Sequence, residues 1–187
     1  MNRSMKYALI TIMAFFFTTS LFAQEEKEFN YVGVKTCGMC HKKDKDGAQL
    51  SKWEESAHAK AYETLLTEEA DKIAKDLGHG DKAAEADACL KCHVTGFDVA
   101  AERLEKKFSM EDGVQCETCH GPGSEYKSMK IMKDHQLAVE NGMTDYVNEE
   151  SIKDQCLTCH NDESPTYEDF VFEDMWQKIA HPIPAEE

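Results

Sequence analysis

Cys116-Glu117-Thr118-Cys119-His120 is one of four stretches in which two cysteines and a histidine recur at one spacing. The others are Cys37-Gly38-Met39-Cys40-His41, Cys89-Leu90-Lys91-Cys92-His93 and Cys156-Leu157-Thr158-Cys159-His160. Together they hold all eight cysteines of the 187 residues. In a C-x-x-C-H motif the two thiols add across the vinyl groups of haem, and the next imidazole is held beneath the iron as its proximal ligand. Rival chemistries use fewer of these residues. Cys₄ zinc sites need no histidine after every second cysteine, and thioredoxin-like chemistry needs a single pair in a βαβ unit. The chain therefore reads as a tetrahaem c-type cytochrome, with four covalent haems c at Cys37, Cys40, Cys89, Cys92, Cys116, Cys119, Cys156 and Cys159. The proximal iron ligands are His41, His93, His120 and His160.

Working outward, residues 1–23 read as a secretory signal. Arg3 and Lys6 precede a mostly apolar run from Ala8 to Phe22, and Ala23 offers a small residue for cleavage. Left uncleaved, this segment is the chain's only route to a membrane. Export implies a bacterial periplasmic protein and makes disulfides the default, a default that the motif spacing contradicts. Residues 24–187 then form one haem-binding domain. The formal charge of -15 excludes a nucleic-acid partner, which needs a basic face. Redox partner proteins with basic docking surfaces are the better expectation.

Four of the eight histidines stand outside the motifs: His58, His79, His135 and His181. Trp53, Ala57, Ala61 and Leu65 recur at four-residue intervals, so His58 borders the stripe of an amphipathic helix, with small neighbours that would let a flat macrocycle approach. His181 ends a second amphipathic segment, 167–180, with Thr166 as its expected N-cap and Pro182 as its stop. Phe170, Phe172, Met175, Trp176 and Ile179 could pack there on porphyrin or in a protein core. His135 has no periodic support. His79 lies in Gly78-His79-Gly80-Asp81, a turn that favours exposure.

Ser56-Ala57-His58-Ala59-Lys60, followed by Cys92-His93-Val94-x-Gly96-Phe97 and Gly113-Val114-x-Cys116 through His120-Gly121-Pro122-Gly123, resembles the tetrahaem cytochrome c-554 family. The resemblance implies three bis-histidine haems, a five-coordinate second haem and close stacking in pairs. It places His135 opposite His41, His181 opposite His120 and His58 opposite His160, leaving His93 as the sole protein ligand of the second haem. It also implies electron transfer between redox partners. The alternative is a small reductase of nitric oxide, nitrite or hydroxylamine at the open second haem.

The expected fold is mainly α with much irregular chain, its core formed by stacked haems. About 40 residues per haem leave too little protein to surround each macrocycle separately. Helices are expected over 47–66, 68–77, 82–92, 148–159 and 167–180, with a short hairpin inside 94–115. The motif spacing has no fixed period, which excludes a solenoid.

Overall fold

The computed structural model describes residues 27–181, so the expected signal segment lies outside the described residues. Within them the chain is mainly α, with short helices, 3₁₀ turns and long irregular connections. The helices are α1 (Val34–Cys37), α2 (Gln49–Glu54), α3 (Ala61–Leu65), α4 (Glu68–Asp76), α5 (Asp87–His93), α6 (Cys116–His120), α7 (Met129–Met132), α8 (His135–Glu140), α9 (Glu149–Leu157) and α10 (Phe172–Ile179). No strand forms among the described residues. The expected hairpin is absent because 94–115 folds into 3₁₀ turns at Ala101–Arg103 and Met110–Asp112. Its β contact is an isolated parallel bridge from Leu104 to Tyr31.

Local chemistry explains the regular helices. Thr67 caps α4, its side chain accepting from the Ala70 N–H, and three carboxylates load the first turn against the helix dipole. Gly78, at φ 75°, closes the other end. Its N–H reaches Lys75 O and the His79 N–H reaches Ala74 O, a Schellman cap that leaves His79 exposed. A capping box between Asn148 and Ser151 starts α9.

The helix expected over 47–66 is broken, and the break positions His58. Trp53 Nε1 donates to Val114 O at 2.7 Å, and the Val114 N–H donates to His58 O at 3.0 Å. Val114 thus takes the place of the next helical turn, and residues 58–60 tighten into a 3₁₀ turn. The close approach requires Gly113, whose φ is 73° and whose added Cβ would lie 2.7 Å from His58 O. Gly113→Ala is expected to cost at least about 2 kcal/mol, read from the urea midpoint of the haem-loaded protein, because strain and overlap add.

The segment 167–180 is also shorter than its periodicity suggests. Residues 167–171 are drawn out, with Phe170 stacked on His160, and α10 begins only at Phe172 with Val171 at its cap. Ala86, at φ -92° and ψ 117°, splits 82–92 into a 3₁₀ turn and α5. Apolar burial is modest. Leu65, Ala74 and Ala83 form a small cluster with Ala70, Ala84, Cys89 and Leu90 packed against it.

Candidate haem-binding site

Motif three sits at the centre of the hydrogen-bond pattern. A short helix leaves its terminal carbonyls without helical partners, and those of α6 are met from three other segments. Gln155 Nε2 donates to Thr118 O at 3.2 Å, Tyr146 Oη to Cys119 O at 2.7 Å, and the Thr144 N–H to His120 O at 3.0 Å. Tyr126, itself buried, donates to Gly121 O at 2.8 Å. Because Gln155 precedes Cys156 on α9, this pattern fixes the fourth motif against the third.

The first motif is fixed from the other side. Glu117, only 2% exposed, accepts the N–H groups of Val32, Gly33 and Gly123 at 2.7–3.1 Å. Gln115 Oε1 accepts the Val34 N–H at 2.8 Å, and Gln115 Nε2 donates to Ser109 O at 2.8 Å. One side chain of the third motif, and one from the residue just before it, thereby receive the N–H groups that lead into α1. Burial pushes the Glu117 carboxyl up, while the N–H donors of Val32, Gly123 and Gly33 pull it back.

The motifs consequently meet in pairs. The Cys37 thiol shares a hydrogen bond with Cys116, which with burial pushes Cys37 up. Burial and the neighbouring Cys159 push Cys92 up to about 11. First lies beside third, and second beside fourth. All eight thiols are free, so no disulfide competes for them. Among the described residues no group of three or more His, Cys, Asp or Glu is arranged to hold a metal ion by itself.

The histidines fall into distinct settings. His58 and His160 face each other with ring centres 6.1 Å apart, and His120 and His181 with centres 5.8 Å apart. Each metal–nitrogen bond is about 2 Å and each ring nitrogen lies about 1 Å from its ring centre, so two imidazoles across one iron have centres about 6 Å apart. Both pairs fit that requirement. Burial, then the charge of His160, lowers the pKa of His58; burial alone lowers His160. Burial, then His181 and His41, holds His120 down at about 4. Neutral imidazole is the form that a metal needs.

His93 Nδ1 donates to Ala61 O, 2.8 Å away, because a carbonyl only accepts; Nδ1 therefore carries the proton and Nε2 is left for a metal. His135 is exposed, and its Nε2 lies 3.0 Å from Asp145 Oδ1, so the structure does not bring it into a ring pair with His41. His79 is exposed on its helix cap.

Residues 36–121 match the family model described as cytochrome c554 and c-prime. That stretch is similar to the cytochrome c554 family. A cytochrome c-554 from Nitrosomonas europaea is 39% identical over 101 residues, covering 52% of this chain and 40% of that protein. The chain thus matches well under half the length of that relative. No solved structure matches. The similarity agrees with the motif reading of a multihaem c-type cytochrome that binds haem c covalently. The match to the family model runs through the first three motifs and stops at Gly121, short of the fourth.

Sequence reasoning passed over Glu117, Gln115, Gln155, Tyr126 and Tyr146. A carboxylate between two motif cysteines carries no local sign of burial, since two of its three partners, Val32 and Gly33, lie more than 80 residues away. Phe170 was recognised only as an apolar residue, yet its ring stacks on His160 at 4.8 Å and 17°.

Proposed function

We propose that the protein is a periplasmic electron carrier with four haems c, cleaved after Ala23, that shuttles electrons between redox partner proteins. The two histidine ring pairs carry this reading, because an iron closed on both faces by imidazole exchanges electrons without binding substrate. When bound, haem supplies the redox-active iron and a conjugated edge for electron hopping between neighbouring centres. The cysteines of each motif would anchor it, and His41, His93, His120 and His160 would hold it from the proximal side. His58 and His181 would supply the second nitrogens where they face His160 and His120. With Nε2 of His135 engaged by Asp145, Nδ1 is the nitrogen it would offer opposite His41, with the carboxylate as its outer partner. Histidine ligation on both faces, without methionine, favours low potentials. The pairwise approach of the motifs suits a core of stacked haems.

The reductase alternative keeps one observation in its favour: His93 forms no ring pair among the described residues, and His79 is exposed. Low-temperature electron paramagnetic resonance of the oxidised protein separates these roles. Low-spin signals from the bis-histidine centres are expected, with one high-spin signal that disappears on adding nitric oxide. His58→Ala and His181→Ala are each expected to convert one further centre from low to high spin. If neither substitution changes the spectrum, the ligand assignment fails. Sustained turnover of nitrite, hydroxylamine or nitric oxide with a chemical reductant would replace the carrier reading by the enzymatic one.

A further inference from the structure

The net charge hides an uneven distribution. Between residues 35 and 53 five lysines stand against two aspartates, whereas between 160 and 181 six carboxylates stand against Lys178. The lysine-rich stretch is the first motif and the loop that follows it. The carboxylate-rich stretch follows the fourth motif, reaching the second through the Lys91–Glu163 ion pair. A uniformly acidic protein has one electrostatic kind of partner; this one has two differently charged stretches.

The basic stretch also has the shape of a contact surface. Met39, in the middle of the first motif, is 56% exposed, and Cys40 is the exposed one among the eight cysteines. Cys37 and Cys40 would hold a haem by its former vinyl groups, on pyrroles that carry no propionate, so the edge they hold would be the apolar one. Lys107 Nζ lies 3.7 Å from Met39 Sδ. Met39, Lys35, Lys42, Leu50 and Trp53 line a cleft of about 460 Å³ with Glu54 and Asp112 on its wall. Asp112 is already matched by Lys35 at 3.0 Å. Lys42, Lys43 and Lys45 are exposed and form no ion pair among the described residues. Their charge is available to a partner.

We propose that this face, Met39 with Lys42 and Lys107 beside it and Lys43 and Lys45 on the loop that follows, docks a redox protein with an acidic surface. The proposal deepens the electron-carrier reading and rests on it. An exposed apolar side chain beside a redox centre supplies the desolvated contact, and lysines around it orient the encounter, as in interfaces with an apolar centre and a charged rim. The opposing global charge is a matter of range. At about 0.1 M salt the Debye length is about 10 Å, so a protein seated on these lysines feels chiefly the charges within that range. Basic partners would dock on the carboxylate-rich stretch instead.

An acidic flavodoxin and a basic mitochondrial cytochrome c serve as probes of opposite sign. Binding to the haem-loaded protein is measured by biolayer interferometry at 0.1 M salt with all proteins oxidised, so that no electron transfer is involved. The variant Lys42→Glu/Lys43→Glu/Lys45→Glu alters exposed side chains only, and its haem spectrum and urea midpoint are expected to match the parent. Its affinity for flavodoxin is expected to fall about tenfold or more, while affinity for the basic probe stays or rises. The corresponding Lys→Gln triple variant should fall between. Equal flavodoxin affinity in parent and variants, or no flavodoxin binding by the parent, overturns the proposal. Binding that depends on the lysines but leaves the haems unreduced by reduced flavodoxin keeps the docking face and counts against the carrier reading instead.

Discussion

Glu117→Ala is expected to destabilise the haem-loaded protein by about 3–5 kcal/mol, measured as the shift in its urea unfolding free energy. The carboxylate is buried and both oxygens are in use: Oε1 meets Val32 and Gly123, and Oε2 meets Gly33 and Val32. Removal leaves three backbone donors without partners, each costing about 1–3 kcal/mol if water does not reach it. Water entering the space vacated offsets part of this, which holds the expected total below the full sum. Glu117→Gln does not restore the site, because its NH₂ group must face one of these N–H donors; a loss of about 1–3 kcal/mol is expected. An alanine variant as stable as the parent would mean that the tie between the first and third motifs contributes nothing. A surface carboxylate supplies the control. Glu149→Ala, exposed at the start of α9, should change stability by no more than about 0.5–1 kcal/mol.

The contrast between Glu117 and His58 explains what could be read from the chain alone. His58 announces itself through neighbours in sequence: a four-residue apolar period, small residues on either side and a specific surrounding pentapeptide. Cysteine spacing is likewise local, so the motifs and the cofactor class were legible without coordinates. Glu117 has no such neighbours. Its role comes from Val32 and Gly33, which the fold brings across more than 80 residues. The helix boundaries fail for the same reason. The period across 47–66 is real, but Gly113 and Val114 intrude on its backbone, and stacking on His160 draws out the residues before Phe172. Periodicity reports which side of a segment is apolar; it does not report where a distant segment interrupts it.

Without attached haem, the chain is expected to lose its cooperative fold. The buried hydrophobic residues among those described are eleven, and four of them are alanines. Buried alanine contributes little transfer free energy, whereas each large apolar side chain contributes about 1.5–3 kcal/mol. The larger members, such as Val32, Leu65 and Phe172, are spread among several segments instead of meeting in one core. Short helices do not compensate, since isolated helices below about 12 residues are marginal in water, and even α4 and α9 have only nine residues. α10 leaves Met175 and Trp176 partly exposed beside His181, which suits an apolar macrocycle as the missing partner. A chain beginning at Gln24, made in the cytoplasm where no haem is attached, should therefore give a largely disordered circular dichroism spectrum and no sigmoidal urea transition. The exported haem-loaded protein should unfold cooperatively. A cooperative transition in the unattached chain, with helix content equal to that of the loaded protein, would show that protein packing alone suffices. Four Cys→Ser variants, each removing the first cysteine of one motif, refine the comparison. Loss at Cys116 should be the most damaging, because Glu117 of the third motif holds the entry to α1 while Gln155, Tyr146 and Tyr126 tie their own segments to the motif's carbonyls and the one just after it.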